Sequence, residues 1–246
     1  MAIKAIPVPG TVAALLAFVA GVVDACTVFA LFGLFVAQVT GSFVLIGVQI
    51  VHADIVNVIR TLAIPLFFLA GFATVFLAEL ASDSKRALCW TLFAEFGLVT
   101  GFVLIGLIAP AFDHPNAPWA LAASLFGVTA MGVQSALVRL LMRGVASTNV
   151  MTTNTTLASI ELAQWLIASR RLAKHPGDSV ALELRREARG RFAGLWPVLV
   201  GFLAGAICGA VGFRWTGFYF PLSTVAILAG LLVWAMRSLN GTAGSN

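Results

Sequence analysis

Apolar positions fill most of the chain in long runs, and polar positions interrupt them at only a few places. Runs of about eighteen residues or more cover roughly 12–33, 61–80, 88–109, 119–138, 195–213 and 218–236, each long enough to cross a hydrocarbon layer of about 30 Å as a helix. Two shorter segments, near 43–52 and 155–168, each follow a polar motif. Thr40-Gly41-Ser42 precedes Phe43-Val44-Leu45, and Thr152-Thr153-Asn154 precedes Thr155-Thr156-Leu157. Upstream of them lie Gly21-Val22-Val23-Asp24-Ala25 and Gly132-Val133-Gln134-Ser135 at similar spacing. The pattern reads as one unit present twice. Polar backbone at membrane depth is costly unless it faces protein or a wet cavity, so the recurrence points to a central site built from both copies.

These elements predict an all-α polytopic membrane protein, a single integral domain over 1–246 without room for a separate soluble domain. Loop charge decides between paths. If both short segments cross, Lys85, Arg86, Arg139, Arg143 and Arg214 lie opposite the remaining basic residues. If both enter and return, only Arg60 and Arg214 oppose the rest. Cytoplasmic loops retain Lys and Arg, so the second path is preferred, with six spans and both termini cytoplasmic. Three spans per copy then give two inverted repeats, 12–109 and 119–238, each with three transmembrane helices and one short broken or re-entrant helix. Leu69-Ala70-Gly71-Phe72-Ala73 matches Leu203-Ala204-Gly205-Ala206-Ile207 at the third element of each. Gly201, Gly205 and Gly209, four residues apart, read as close helix packing.

Composition agrees with this picture. Hydrophobic residues make up 60% and charged residues 10%, far from a soluble domain, where charge approaches a quarter. A pI near 9.7 raises nucleic acid as a partner, but the basic residues flank apolar spans, so topology accounts for them better. Cys26, Cys89 and Cys208 sit in apolar segments, His52, His114 and His175 are scattered, and neither set has metal-ligand or disulfide spacing. No metal or cofactor is expected. The apolar N-terminal run after Lys4 lacks a small-x-small cleavage site and reads as an uncleaved first span. The basic cytoplasmic loop 169–193 contains an apolar stripe, Val180, Leu184, Ala188 and Phe192, that suits a helix lying on an anionic inner leaflet.

Asp24 is the sharpest chemical clue, since a carboxylate in mid-span must face inward, either to couple protons or bind substrate, or to hydrogen-bond an opposing helix. Gln134, its counterpart, cannot titrate and reads equally as substrate contact or inter-helix bridge. Thr40, Gly41, Ser42, Thr152, Thr153 and Asn154 fit the N-termini of helices that begin within the membrane, with Gly41 supplying a tight turn. Glu95 and Glu161 join Asp24 as candidates for proton coupling. Arg139 and Arg143 read as inner-face anchors.

Gly21-Val22-Val23-Asp24-Ala25, Phe35-Val36-Ala37-Gln38-Val39-Thr40-Gly41-Ser42 and Ala130-Met131-Gly132-Val133-Gln134-Ser135 together resemble the YoaK family of bacterial integral membrane proteins, catalogued as a domain of unknown function. Its members usually carry an Asp-Ala pair in the first span, then Thr-Gly-Asn, then Met-Gly-x-Gln-Ser in the second half. Here Ser42 replaces the Asn, losing the amide, and Thr153 stands where the second motif often has Gly. The resemblance implies a bacterial inner-membrane location and supplies no substrate.

The residues point to a small-molecule transporter or channel with a midplane polar site that moves an anionic or polar metabolite, with proton coupling left open. The alternatives are an intramembrane enzyme, disfavoured because no nucleophile–base pair or HExxH appears, and a sensor or assembly subunit acting through the basic loop. Expected partners are the bilayer and a small-molecule or ion substrate, with a homo-oligomer left open and no nucleic acid.

Overall fold

The computed structural model describes residues 5–51, 58–81, 83–109 and 112–243, with side chains up to residue 238. Lys4 and His52 lie outside the described residues. Eight α-helices occur among the described residues: α1 (Gly10–Ala30), α2 (Thr40–Val51), α3 (Val58–Glu79), α4 (Ser84–Ile108), α5 (Pro118–Leu141), α6 (Met151–Lys174), α7 (Ser179–Thr216) and α8 (Leu222–Ala243). Five of them, α1, α3, α4, α5 and α7, are long and apolar enough to cross a membrane. The molecule is thus an all-helical protein of membrane type.

α1 lies at the centre, its face from Leu16 to Cys26 buried. α7 packs along it through small residues. A methyl group on Gly201, Gly205 or Gly209 would meet the backbone of Ala14, Phe18 or Val22, and one on Gly21 would meet Phe202 and Ala206. Residue numbers rise together, so the two helices are parallel and almost in backbone contact, as small-residue stripes permit. α3 packs on α5 in the same sense, with Gly132 against Phe67 and Ala70 and Gly71 against Ala136. α1 and α5 run oppositely: Gln134 Nε2 donates to the Leu16 carbonyl at 2.9 Å, while Gly127 faces Thr27. The start of α1 and the end of α5 share one side, where Ile6 N donates to Leu141 O at 2.8 Å and Arg143 N to Ile6 O at 2.9 Å.

It follows that α1 and α3 are antiparallel. α3 therefore begins on the side where α1 ends. The expected tight turn is not at Gly41, which sits within α2. It falls at Phe32 and Gly33, whose φ values are +56° and +79°, with Arg60 Nη2 donating to Phe32 O at 2.7 Å. That bond gives Arg60 a local role, holding the turn that follows α1.

The second half departs from expectation in two ways. The short helix expected over 155–168 is the 24-residue α6. The stripe from Val180 to Phe192 is not a separate surface helix but the first half of the 38-residue α7, which continues through Pro197. Asp178 caps it, its Oδ1 accepting from Ala181 N at 2.9 Å. Because Ala14 lies level with Gly201, residues 179–196 run past the start of α1 for about 27 Å at 1.5 Å per residue. α6 packs along this extension, burying Ala158, Glu161 and Ala168 on its own side and Ala181, Ala188 and Leu195 on α7.

Candidate functional site

Two loops return from helix ends toward mid-depth, and each is held by a polar side chain of the helix it leaves. After α1, residues 31–39 fold back until Val36 N and Ala37 N donate to Asp24 Oδ1 at 2.8 and 2.7 Å. Asp24 lies six residues before the end of α1, about 9 Å along its axis. α2 starts from that depth. After α5, residues 142–150 fold back until Thr148 Oγ1 accepts from Gln134 Nε2 at 2.8 Å. Thr148 then bonds Asn149 Oδ1 at 3.0 Å, and Asn149 Nδ2 donates to Met131 O at 3.1 Å. α6 starts immediately afterwards. Two carboxyl or amide anchors thereby set the depth at which two helices begin.

The starts of α2 and α6 border one cavity of about 620 Å³. Its lining includes Gln38 and Thr40 from the first loop and α2, Phe67 and Phe68 from α3, Ser135 and Arg139 from α5, and Asn149, Thr152 and Thr153 from the second loop and α6. The first N–H groups of α6 have no intrahelical acceptor, and no side chain caps them. Among the described residues of the lining, Arg139 is the one that carries a charge. Free helix N–H groups and a guanidinium favour an anion or a strongly polar group.

Of the residues singled out from sequence, Thr40, Thr152 and Thr153 line this cavity, whereas Gly41, Ser42, Asn154, Asp24 and Gln134 do not. Ser42 is buried in α2. Asn154 turns back, donating from Nδ2 to Ser147 O at 2.6 Å. Asp24 faces a smaller recess of about 240 Å³ shared with Gln38 and Phe202, with no basic side chain among the described residues that line it. Its Oδ2 is buried without a hydrogen-bond partner among the described residues, although the Gln38 side chain is near enough to act on the carboxyl. Glu95, mid-way along α4, is fully buried, and neither oxygen has a partner among the described residues. Glu161 accepts from Arg191 Nε at 2.7 Å at the root of the α6–α7 extension. Among the described residues no cluster of three or more His, Cys, Asp or Glu is placed to hold a metal.

Arg139, Gln38, Ser135 and Asn149 were not picked as site residues from sequence. Arg139 resembled an ordinary helix-end anchor. The polar run Ser147-Thr148-Asn149 was the available signal for the second loop, at nearly the distance from Gln134 that Val36 and Ala37 keep from Asp24.

The sequence profile of the family described as "Protein of unknown function (DUF1275)" matches residues 12–235, and the chain belongs to that family, consistent with the YoaK resemblance. No curated protein and no solved structure matches the chain.

Proposed function

We propose that this DUF1275 member is a membrane transporter or channel for an anionic or polar metabolite, with the cavity between the α2 and α6 starts as its solute site. One observation carries the reading: two helices that begin inside the bundle, after separate returning loops, border a single space whose described lining includes one basic residue, Arg139. In this reading the chain has six spans and two inverted repeats, 12–109 and 119–238, and lies in a bacterial inner membrane with both termini cytoplasmic. The packing supports the repeat. The third element of each half lies parallel on the first element of the other, α7 on α1 and α3 on α5, and each contact uses a glycine one turn or less before the loop anchor, Gly21 or Gly132. The opposite directions of α1 and α5 are those an inverted pair requires.

Asp24 couples protons to the cavity through the loop and not by touching solute. Ionised, it accepts both N–H groups that fix the entry to α2; a proton on Oδ2 weakens those charge-assisted bonds and frees the segment from Val36 to Thr40. No catalytic residue and no cofactor is assigned. A second reading, a sensor or assembly subunit, has one observation in its favour: the α6–α7 extension exposes Leu166, Ile167, Val180 and Leu182.

Flux of small organic and inorganic anions into proteoliposomes tests the proposal. Arg139→Gln is expected to reduce flux about tenfold or more, Thr40→Val less, and Asp24→Asn to abolish its dependence on pH. Flux indifferent to all three changes would remove the site. If no anion is carried, while removing 162–190 abolishes function in cells, the sensor reading gains.

A further inference from the structure

Arg139 borders a second recess, of about 400 Å³, between α3 and α5. The two spaces share Phe67, Phe68, Ser135 and Arg139, so they meet at the guanidinium-bearing residue. Beyond it the recess is walled by Gly71, Phe72 and Val75 and is almost wholly apolar. It follows the parallel α3–α5 contact from Gly132 to Arg139, seven residues or about 10 Å. Gly71 keeps it open, since a side chain there would project toward Ala136. The rim is aromatic and turned outward: Phe68 is 68% and Phe72 54% exposed. On helices whose outer surface is apolar throughout, such a mouth opens to acyl chains and not to water.

We propose that the solute is an amphiphilic anion, a carboxylate or phosphate head on an apolar chain, with the head at Arg139 and the chain along the α3–α5 recess. The inference rests on the cavity being the solute site and narrows its substrate class. A lone cation selects the head, because among the described residues no carboxylate lines either space. The apolar walls select the chain, because a small hydrated ion leaves them unused while each buried methylene adds affinity. A recess open to the bilayer also gives the chain a route in that never passes through water.

The test is equilibrium binding of straight-chain carboxylates, butyrate to decanoate, to the full chain in nanodiscs, with empty nanodiscs as blank. Affinity is expected to rise about fourfold per methylene. Arg139→Gln should weaken every member about tenfold or more. Val75→Trp, on the wall of the recess, should flatten the series. Decyl phosphate against inorganic phosphate extends the comparison to the other head, and lysophosphatidate against decyl phosphate separates a lipid source from a free one. A flat series with Arg139-dependent butyrate binding would overturn the amphiphile and leave an anion cavity standing. Loss of Arg139 dependence would overturn both. A slope that survives Val75→Trp would overturn the placement of the chain, as would a recess found sealed by a second copy at every protein-to-lipid ratio.

Discussion

The two halves of the chain solve one problem with different chemistry. Each leaves a long helix, makes a left-handed glycine turn three residues later, at Gly33 (φ +79°) or Gly144 (φ +71°), and returns to begin a helix inside the bundle. In the first half a carboxylate accepts two backbone N–H groups; in the second an amide donates to a threonine and to the carbonyl of Leu16 across the bundle. The first arrangement depends on charge and the second does not. Under the proposed function the first loop answers to protons, while the second, whose amide does not titrate, ties the two halves together.

The contrast is broken most severely by Asp24→Ala. Val36 N and Ala37 N would be left buried without acceptors, at about 1–3 kcal/mol each, and α2 would lose the anchor that sets its depth. A marked fall in the unfolding midpoint in detergent is expected, with loss of flux. Gln134→Ala should cost less, about 1–2 kcal/mol. Thr148 keeps its bond to Asn149, and the Leu16 carbonyl lies inside α1, where it already accepts a helical bond. If Gln134→Ala proves the more damaging, the amide bridge and not the carboxylate organises the centre.

Exchanging the chemistry sharpens the comparison. Asp24→Asn keeps an acceptor oxygen and removes the titration, so flux should persist at reduced rate and become flat with pH. Gln134→Glu should do the reverse and add a second pH-dependent step. The protonated acid still donates to Leu16 O, whereas the ionised one faces that carbonyl with no proton to give. Flux against pH in proteoliposomes reads both. An unchanged profile in Asp24→Asn would take proton sensing away from the loop and turn attention to Glu95, whose carboxyl is buried without partners among the described residues.

How much of this was legible beforehand depends on what hydropathy measures. Apolar runs marked α1, α3, α4 and α5 to within four residues, because a spanning helix must be apolar wherever it meets lipid or core, whereas the run for α8 ended seven residues short. They did not show that α7 starts at Ser179, since a helix leaving the membrane changes its composition without changing its backbone, and Pro197 reads locally as a break. Asp24 and Gln134 stood out because a polar side chain in a span needs a partner. Their actual partners, Val36, Ala37 and Thr148, are fixed by how far each loop folds back, a tertiary quantity with only a faint trace in spacing. Arg139 was missed for the same reason: one turn from a helix end, it reads as an anchor until the neighbouring loop returns beside it and makes a cavity.

The smallest effects test whether the two returning loops share a backbone design beneath their different anchors. Gly33→Ala and Gly144→Ala should each cost about 1 kcal/mol, the penalty of a Cβ in the left-handed region. Neither position adds a clash, since a Cβ at Gly144 meets nothing within 4 Å and one at Gly33 meets only Arg60 Nη2, at 3.6 Å. Gly41→Ala should cost nothing and gain slightly from helix propensity, because Gly41 lies in α2 and a Cβ there would come no nearer than 4.0 Å to Phe35. Unfolding midpoints of the three variants in one detergent decide the matter. Equal losses at Gly33 and Gly144 with none at Gly41 fit a shared turn anchored in two ways. A loss at Gly33 well above that at Gly144 would mean that the Arg60 brace on Phe32 O makes the first loop stiffer than its carboxylate alone accounts for, and the halves would then differ in backbone as well as in charge.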